Sequence, residues 1–365
     1  MLSHPISLAV LESAVHGAVE LERDGGGFAP RRLPAASRPF HADEGLWRMA
    51  SHASGVTLRL RTAASRLSLE LLFQRESNGH RAVVVAETPS GAQLISLDEG
   101  DVLVEHPDRS ADRLPGSPSV LDFHLGESAE RDVTIWLPNA AGVTVLGASA
   151  DALVEAVRSI QPHWVHYGSS ISHGSDLDDP RRIWPVQAAR ALDYQLTNLG
   201  FAGNAMLDPV VARTIADLPA ELITLKIGIN LVNGDAMRSR TFVPAVHGFL
   251  DLIRDRQPTT PIVVMSALAC GIHEQTPGPV REVSPGKAGA TPRDTRPFDG
   301  TLTLERTRAH LAELIPRRGD PNLRLINGLE LLRLDEPDLL PDNLHPNDEG
   351  HDRIARRFVR LMATG

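Results

Sequence analysis

Residues 163–174 read H-W-V-H-Y-G-S-S-I-S-H-G, and the architecture of the chain turns on them. HWVHYG (163–168) has the character of a buried strand, and it ends directly in Gly168, Ser169 and Ser170. Beyond it, strand-like and helical stretches alternate: WPVQAARAL (184–192) helical, ELITLKIGI (221–229) a strand, 243–255 helical, PIVVMSAL (261–268) a strand. TLERTRAHLAELI (303–315) is helical, LRLING (323–328) a last short strand, and 350–362 a closing helix with Ile354, Phe358 and Leu361 inward. Such alternation implies parallel pairing through right-handed crossovers, hence a three-layer α/β domain. Ahead of it, residues 45–150 alternate with period 2. Val56, Leu58 and Leu60 share one face, as do Leu67, Leu69 and Leu71, and further runs at 81–87, 121–126, 133–138 and 142–148 are separated by turn residues. Short strands at that spacing predict an all-β sandwich or jelly roll. The boundary is expected at 148–160, giving an accessory domain over 1–150 and an α/β domain over 151–365.

Composition narrows the function. The 365 residues carry 37 basic and 46 acidic side chains, a net charge of −9, with 42% hydrophobic and 23% charged residues. This is a globular composition with a sizeable core, and its acidic balance offers no footprint for a phosphate backbone, so nucleic acid is not an expected partner. Only Lys226 and Lys287 are lysines. The one cysteine, Cys270, excludes an intrachain disulfide and a Cys-based metal framework, as in a reducing compartment. The start, MLSHPISLAVLESAVHG, has no basic leader and too short an apolar run to span a membrane, which predicts a cytoplasmic, soluble protein. Between Gly271 and Gly300 the chain is rich in Pro and Gly without apolar period and is expected to be irregular, either a lid or a solvated excursion.

In an open parallel sheet, ligands gather beyond the carboxyl ends of the strands. Four junctions there could do chemistry. Ser170 follows the first strand, where a hydroxyl can be presented among backbone donors, or where Gly and Ser simply make a turn. In NLGFAGNA, Gly203 can bring a backbone N–H close to a substrate, and in LKIGINLVNG, Asn230 can aim a side-chain amide into a cleft. Both also serve as ordinary loop residues. In LPDNLHPNDEGH, Asp342 lies three residues before His345, close enough to orient an imidazole, with Asn347 a plausible N-cap. Asp348 and His351 repeat the spacing at the start of the last helix, where capping and solvent exposure account for them.

Taken together and in this order, G168-S-S-I-S, G203, G228-I-N230 and D342-x-x-H345 resemble the four blocks of the SGNH, or GDSL, family of serine hydrolases over roughly residues 160–362. The resemblance implies a flavodoxin-like three-layer sheet. It implies Ser170 as nucleophile, His345 as base, Asp342 as its orienting partner, and an oxyanion hole of the Ser170 and Gly203 N–H groups and the Asn230 side chain. The acidic residue that usually precedes the nucleophile is Ser169 here, and Leu231 stands where an Asp is common after Asn230. The first departure leaves Ser169 as a second candidate nucleophile, and the register of G-x-S-I favours Ser170. A sandwich ahead of such a domain resembles a sub-branch that includes a salicylyl acyltransferase of tetracycline biosynthesis.

The expected chemistry is acyl transfer through an acyl-serine, from an ester or thioester donor to water or an alcohol. One alternative is a dedicated acyltransferase moving an aryl or short acyl group from a thioester to a natural-product hydroxyl. Another is an inactive protein built on a carbohydrate-binding sandwich. No cofactor and no metal are implied: H-E-x-x-H and C-x-x-C are absent, the acid-rich 176–180 lacks the pattern of a calcium loop, and D-G-G-G at 24–27 is no dinucleotide fingerprint. His166 and His173 are expected as satisfied histidines, Trp136 and Trp184 as core aromatics, and Cys270 as a buried small hydrophobe.

Overall fold

The computed structural model describes residues 4–24, 26–106, 110–292 and 300–364. Residues 1–3 of the N-terminal reading, Gly25 of the D-G-G-G stretch and residues 293–299 of the Pro/Gly-rich segment lie outside the described residues. The chain divides into two compact units. One holds 1–161, 174–186 and 195–198, the other 162–173, 187–194 and 199–365.

The first unit is a β-sandwich of an eight-stranded and a six-stranded sheet. Alternation dictates which side chains meet: Thr57–Thr62 pairs antiparallel with Arg131–Trp136, setting Val133 opposite Leu60 and Ile135 opposite Leu58. In the other sheet Arg66–Glu76 pairs antiparallel with Ala141–Ala150. The inward faces, Leu58, Leu60, Val133 and Ile135 from one sheet and Leu67, Leu69, Leu71 and Phe73 from the other, fuse into one apolar core. Two later segments join this unit through buried polar bonds that no local pattern announces. Asn139 Nδ2 donates to Leu177 O at 2.8 Å and to Gly174 O. The wholly buried Arg32 donates to His52 O at 2.6 Å, to Asn198 O at 3.0 Å and to Met49 O. Burial pushes the Arg32 guanidinium down to about 9, and these carbonyls are what keep it satisfied.

The second unit contains the predicted α/β layers. Its sheet runs in the order His163–Gly168, Leu222–Lys226, Ile262–Met265, Leu323–Ile326, each strand pairing parallel with the next. Register places Trp164 beside Leu222 and His166 beside Thr224. Trp164 is fully buried, stacks on Phe358 of the final helix Asp348–Ala363 with ring centroids 5.2 Å apart, and donates Nε1–H to Thr224 Oγ1 at 2.8 Å. Trp184 and Trp136 are also buried, as expected.

The segment from Gly271 departs from expectation. Its described part is ordered into a short turn of helix at Gly271–His273 and an antiparallel hairpin, Val280–Ser284 with Lys287–Ala290. Pro285 and Gly286 form its turn, a pairing that serves a hairpin as readily as an irregular loop. Among the described residues no helix is long and apolar enough to cross a membrane.

Candidate active site

Ser170 opens a one-turn helix, Ser170–His173, immediately after the strand His163–Gly168. Ser169 O accepts from Ser172 N at 3.0 Å and His173 N at 2.9 Å, so the turn is wound tightly onto the strand end. The amides of Ser170 and Ile171 open this turn and have no carbonyl of their own helix to bond. A side chain at 168 is excluded, because a Cβ there would lie 2.3 Å from Ser172 Oγ. That hydroxyl is held by His166 Nε2 at 2.8 Å, while His166 Nδ1 meets Thr224 Oγ1 at 2.6 Å. His166 is thus a satisfied buried histidine, and burial, with the nearby Lys226 charge, holds it well below the usual histidine range.

His345 Nε2 lies 2.9 Å from Ser170 Oγ, and His345 Nδ1 lies 2.7 Å from Asp342 Oδ2. Asp342 Oδ1 also accepts from Leu344 N at 2.8 Å and His345 N at 2.6 Å, a turn that locks the carboxylate to the residue it orients. Burial alone would raise this carboxyl; the bonds from the His345 ring, the His345 amide and the Leu344 amide outweigh it and bring it down to about 2. An ionised carboxylate accepts only, so Nδ1 carries the hydrogen and Nε2 is left as the acceptor facing Ser170.

The loop carrying Asp342 and His345 is fixed from three sides. Asn347 caps the final helix by accepting from Gly350 N at 2.9 Å. Glu336 pairs with Arg353 at 2.8 Å and Arg357 at 2.6 Å; the Arg357 bond leads in pulling its carboxyl down to about 2, against burial and with help from Arg353. The hairpin supplies the third tether: Ala288 N donates to Asp342 O at 2.8 Å, Asn343 Nδ2 to Ala288 O at 3.0 Å, and Lys287 Nζ to Pro341 O.

Gly203 follows Gln195–Gly200, and Asn230 follows Leu222–Lys226, which pairs with His163–Gly168. Phe201 N donates to Gly168 O at 2.8 Å, which draws the turn carrying Gly203 to the end of the Ser170 strand. Gly203 has φ +67, left-handed backbone that only glycine takes without strain. Asn230 is buried, and its Oδ1 accepts from Ala205 N at 3.1 Å, so its NH2 group is turned the other way.

Two readings change. His351 is not solvent-exposed; it is 2% exposed on the inner face of the final helix, and the helix is capped by Asn347, with Asp348 in its first turn. Lys226 was not singled out, although a lysine closing the strand L-I-T-L-K in a chain of two lysines is a visible signal. It is 3% exposed and donates from Nζ to Ser169 Oγ at 3.1 Å. Cys270 is buried, and burial pushes its thiol up to about 12, which suits a packing residue. Asp179, in the acid-rich stretch, caps Pro180–Arg182 and pairs with Arg181 at 2.7 Å. Among the described residues no cluster of His, Cys, Asp and Glu could hold a metal ion.

Residues 166–353 match the model of the GDSL-like lipase/acylhydrolase family. The chain belongs to that family. Its fold is similar to the salicylyl acyltransferase SsfX3 from a tetracycline biosynthetic pathway, with 26% identity and a TM-score of 0.78 over 96% of this chain and 94% of that one. It is also similar to a candidate GDSL-like lipase from Bacteroides ovatus ATCC 8483, at 18% identity and TM-score 0.70, covering 99% and 97% of the two chains. A family two carbohydrate esterase from Clostridium thermocellum aligns at 12% identity and TM-score 0.62, covering 96% and 98%. These whole-length likenesses take in the β-sandwich as well as the α/β layers. A comparison with the curated proteins finds no match.

Proposed function

We infer that this family member transfers an acyl group from a small-molecule ester or thioester through a covalent acyl-serine on Ser170. The observation that carries the reading is the unbroken relay Ser170 Oγ, His345 Nε2, His345 Nδ1, Asp342 Oδ2, with bonds of 2.9 and 2.7 Å. His345 accepts the Ser170 proton as Oγ attacks the acyl carbonyl, and Asp342 stabilises the imidazolium without itself taking a proton. The oxyanion is met by the Ser170 and Gly203 amides and the Asn230 NH2, each such donor worth about 2.7–4 kcal/mol in the transition state. As the intermediate collapses, His345 gives that proton to the departing alcohol or thiol and is left neutral. An acceptor then enters, gives its proton to His345 and attacks the acyl-serine.

The likeness to SsfX3 along nearly the whole chain supports a second, narrower reading, in which the acceptor is a hydroxyl of a second small molecule rather than water. The test is intact-protein mass spectrometry of wild type and Ser170→Ala after a fluorophosphonate, then after a panel of acyl esters and thioesters. A single adduct absent from the variant is expected. The lifetime of the acyl adduct in water, with and without added alcohols, separates hydrolase from transferase, and a folded wild type that takes up no adduct would overturn the reading.

A further inference from the structure

Lys226 ends the strand Leu222–Lys226 and lies next to the strand that delivers Ser170. Burying an ammonium is costly unless a carboxylate meets it, and none does among the described residues; Nζ has Ser169 Oγ, at 3.1 Å, as its hydrogen-bond partner. Ser169 is bonded directly to Ser170, and its carbonyl anchors the turn in which the Ser170 amide sits. We propose that the Lys226 ammonium is a positioning residue of acyl transfer, fixing the Ser169–Ser170 peptide through Ser169 Oγ and setting an uncompensated positive charge behind the developing oxyanion. This inference rests on the acyl-serine reading and deepens it.

The chemistry follows from charge and place. The tetrahedral intermediate gains a negative charge that the substrate lacks, so a fixed cation nearby favours the transition state over the ground state. For a charge separation taken as about 8 Å and an effective dielectric of about 20, the interaction is worth about 30-fold in rate. The groups facing Nζ are consistent with a lone cation. Alternation puts Lys226 on the sheet face it shares with Thr224, Trp164 and His166, with Tyr167 on the opposite face; the final helix, stacked on Trp164 through Phe358, brings the buried His351 to that side, and the neighbouring strand Ile262–Met265 brings no ionisable side chain. Burial draws Lys226 down to about 7, within the working range. Burial holds His166 neutral throughout that range, so it supplies no competing titration there.

The test is the rate of Ser170 phosphonylation by a fluorophosphonate as a function of pH, read by mass spectrometry. Wild type is expected to slow on the acid side as His345 protonates, and on the alkaline side by about 30-fold as Lys226 loses its proton. Lys226→Met is expected to label about 30-fold slower at pH 6.5–7 and to lose the alkaline limb while keeping the acid limb. Ser169→Asp places a carboxylate against Nζ and is expected to move the alkaline limb up by about one pH unit or more. That variant carries the test alone should Lys226→Met not fold. A wild type flat on the alkaline side, a Lys226→Met variant with wild-type rate and profile, or a limb unmoved by Ser169→Asp would overturn the role of Lys226. Absence of any Ser170 adduct in wild type would instead overturn the acyl-serine reading on which it rests.

Discussion

Replacing Asp342 by Asn separates the charge of the acid–base loop from its shape. Oδ1 accepts two backbone N–H groups, from Leu344 at 2.8 Å and His345 at 2.6 Å, so the amide oxygen of Asn is held on that side. The NH2 then replaces Oδ2, opposite His345 Nδ1 at 2.7 Å. Two donors cannot face each other, so Nδ1 must become the acceptor and the hydrogen moves to Nε2. The imidazole then points a donor at Ser170 and cannot take its proton. The imidazolium of the transition state also loses an anion in direct contact. A wrong tautomer of this kind costs about 10⁴-fold in kcat, or about 5 kcal/mol of barrier.

Stability should respond far less. The fall of Asp342 from 3.8 to about 2 corresponds to about 2.4 kcal/mol. With about a third of the side chain in water, screening reduces this to about 1 kcal/mol. The folded value is the lower one, so the contribution is complete above about pH 4 and is lost as pH falls toward 2. Asp342→Asn should therefore unfold in urea at a midpoint close to wild type at pH 7 while its kcat/KM for an activated acetyl ester falls by three to four decades. An Asn variant within tenfold of wild type in kcat/KM would refute the tautomer argument.

His345→Ala should abolish labelling of Ser170 with the fold retained, whereas His351→Ala should label at the wild-type rate but lose about 1–2 kcal/mol in urea, since it removes a buried side chain. As His345 acts neutral, the wild-type rate should fall on acidification, and a flat acid side would count against it as base. Gly203→Ala meets no atom within 4 Å but must hold φ +67, so it should cost about 1–2 kcal/mol of stability and, by tilting the 203 amide, at least tenfold in kcat. Glu336→Gln leaves Arg353 and Arg357 without their shared anion and should destabilise by about 2 kcal/mol above pH 4.5, the loss fading as wild-type Glu336 itself protonates toward pH 2.

The layered fold was legible because each element carries its own period. His163–Gly168 and Trp184–Leu192 match their sequence readings residue for residue, since an apolar strand ending in Gly-Ser and a helix opened by Trp-Pro need no distant information. Residues 174–186 were not legible as part of the sandwich unit, because what joins them is the Asn139 amide on Leu177 O, a bond spanning 38 positions. The hairpin at 280–290 escaped for a different reason: its first strand, V-R-E-V-S, is mostly exposed, and alternation without a buried face leaves almost no pattern. At the site, it is the resemblance of the four blocks, rather than any one spacing, that points to Ser170, Asp342 and His345, and which ring nitrogen faces which oxygen is a matter of geometry. His351 shows the limit of spacing, since the repeated D-x-x-H differs from the first in where the helix turns its side chain.

Lys226 ties function back to stability. Its value in the fold, about 7, lies below its ordinary 10.5 because burial disfavours the ammonium. The unfolded chain therefore holds the proton more tightly, so the penalty on the fold is complete below pH 7 and disappears as pH rises from 7 to 10.5. At 1.36 kcal/mol per decade it approaches about 5 kcal/mol, comparable with the whole stability of many domains. A strand otherwise made of buried apolar residues and one satisfied threonine would fold better with methionine there. Lys226→Met should accordingly raise the urea midpoint at pH 6.5, with the advantage over wild type shrinking toward pH 10. If that gain appears together with the loss in labelling rate, the lysine is kept for the reaction at the expense of the fold. A stability profile that stays parallel to wild type from pH 6.5 to 10 would show that Lys226 is not the buried uncompensated cation that its position requires.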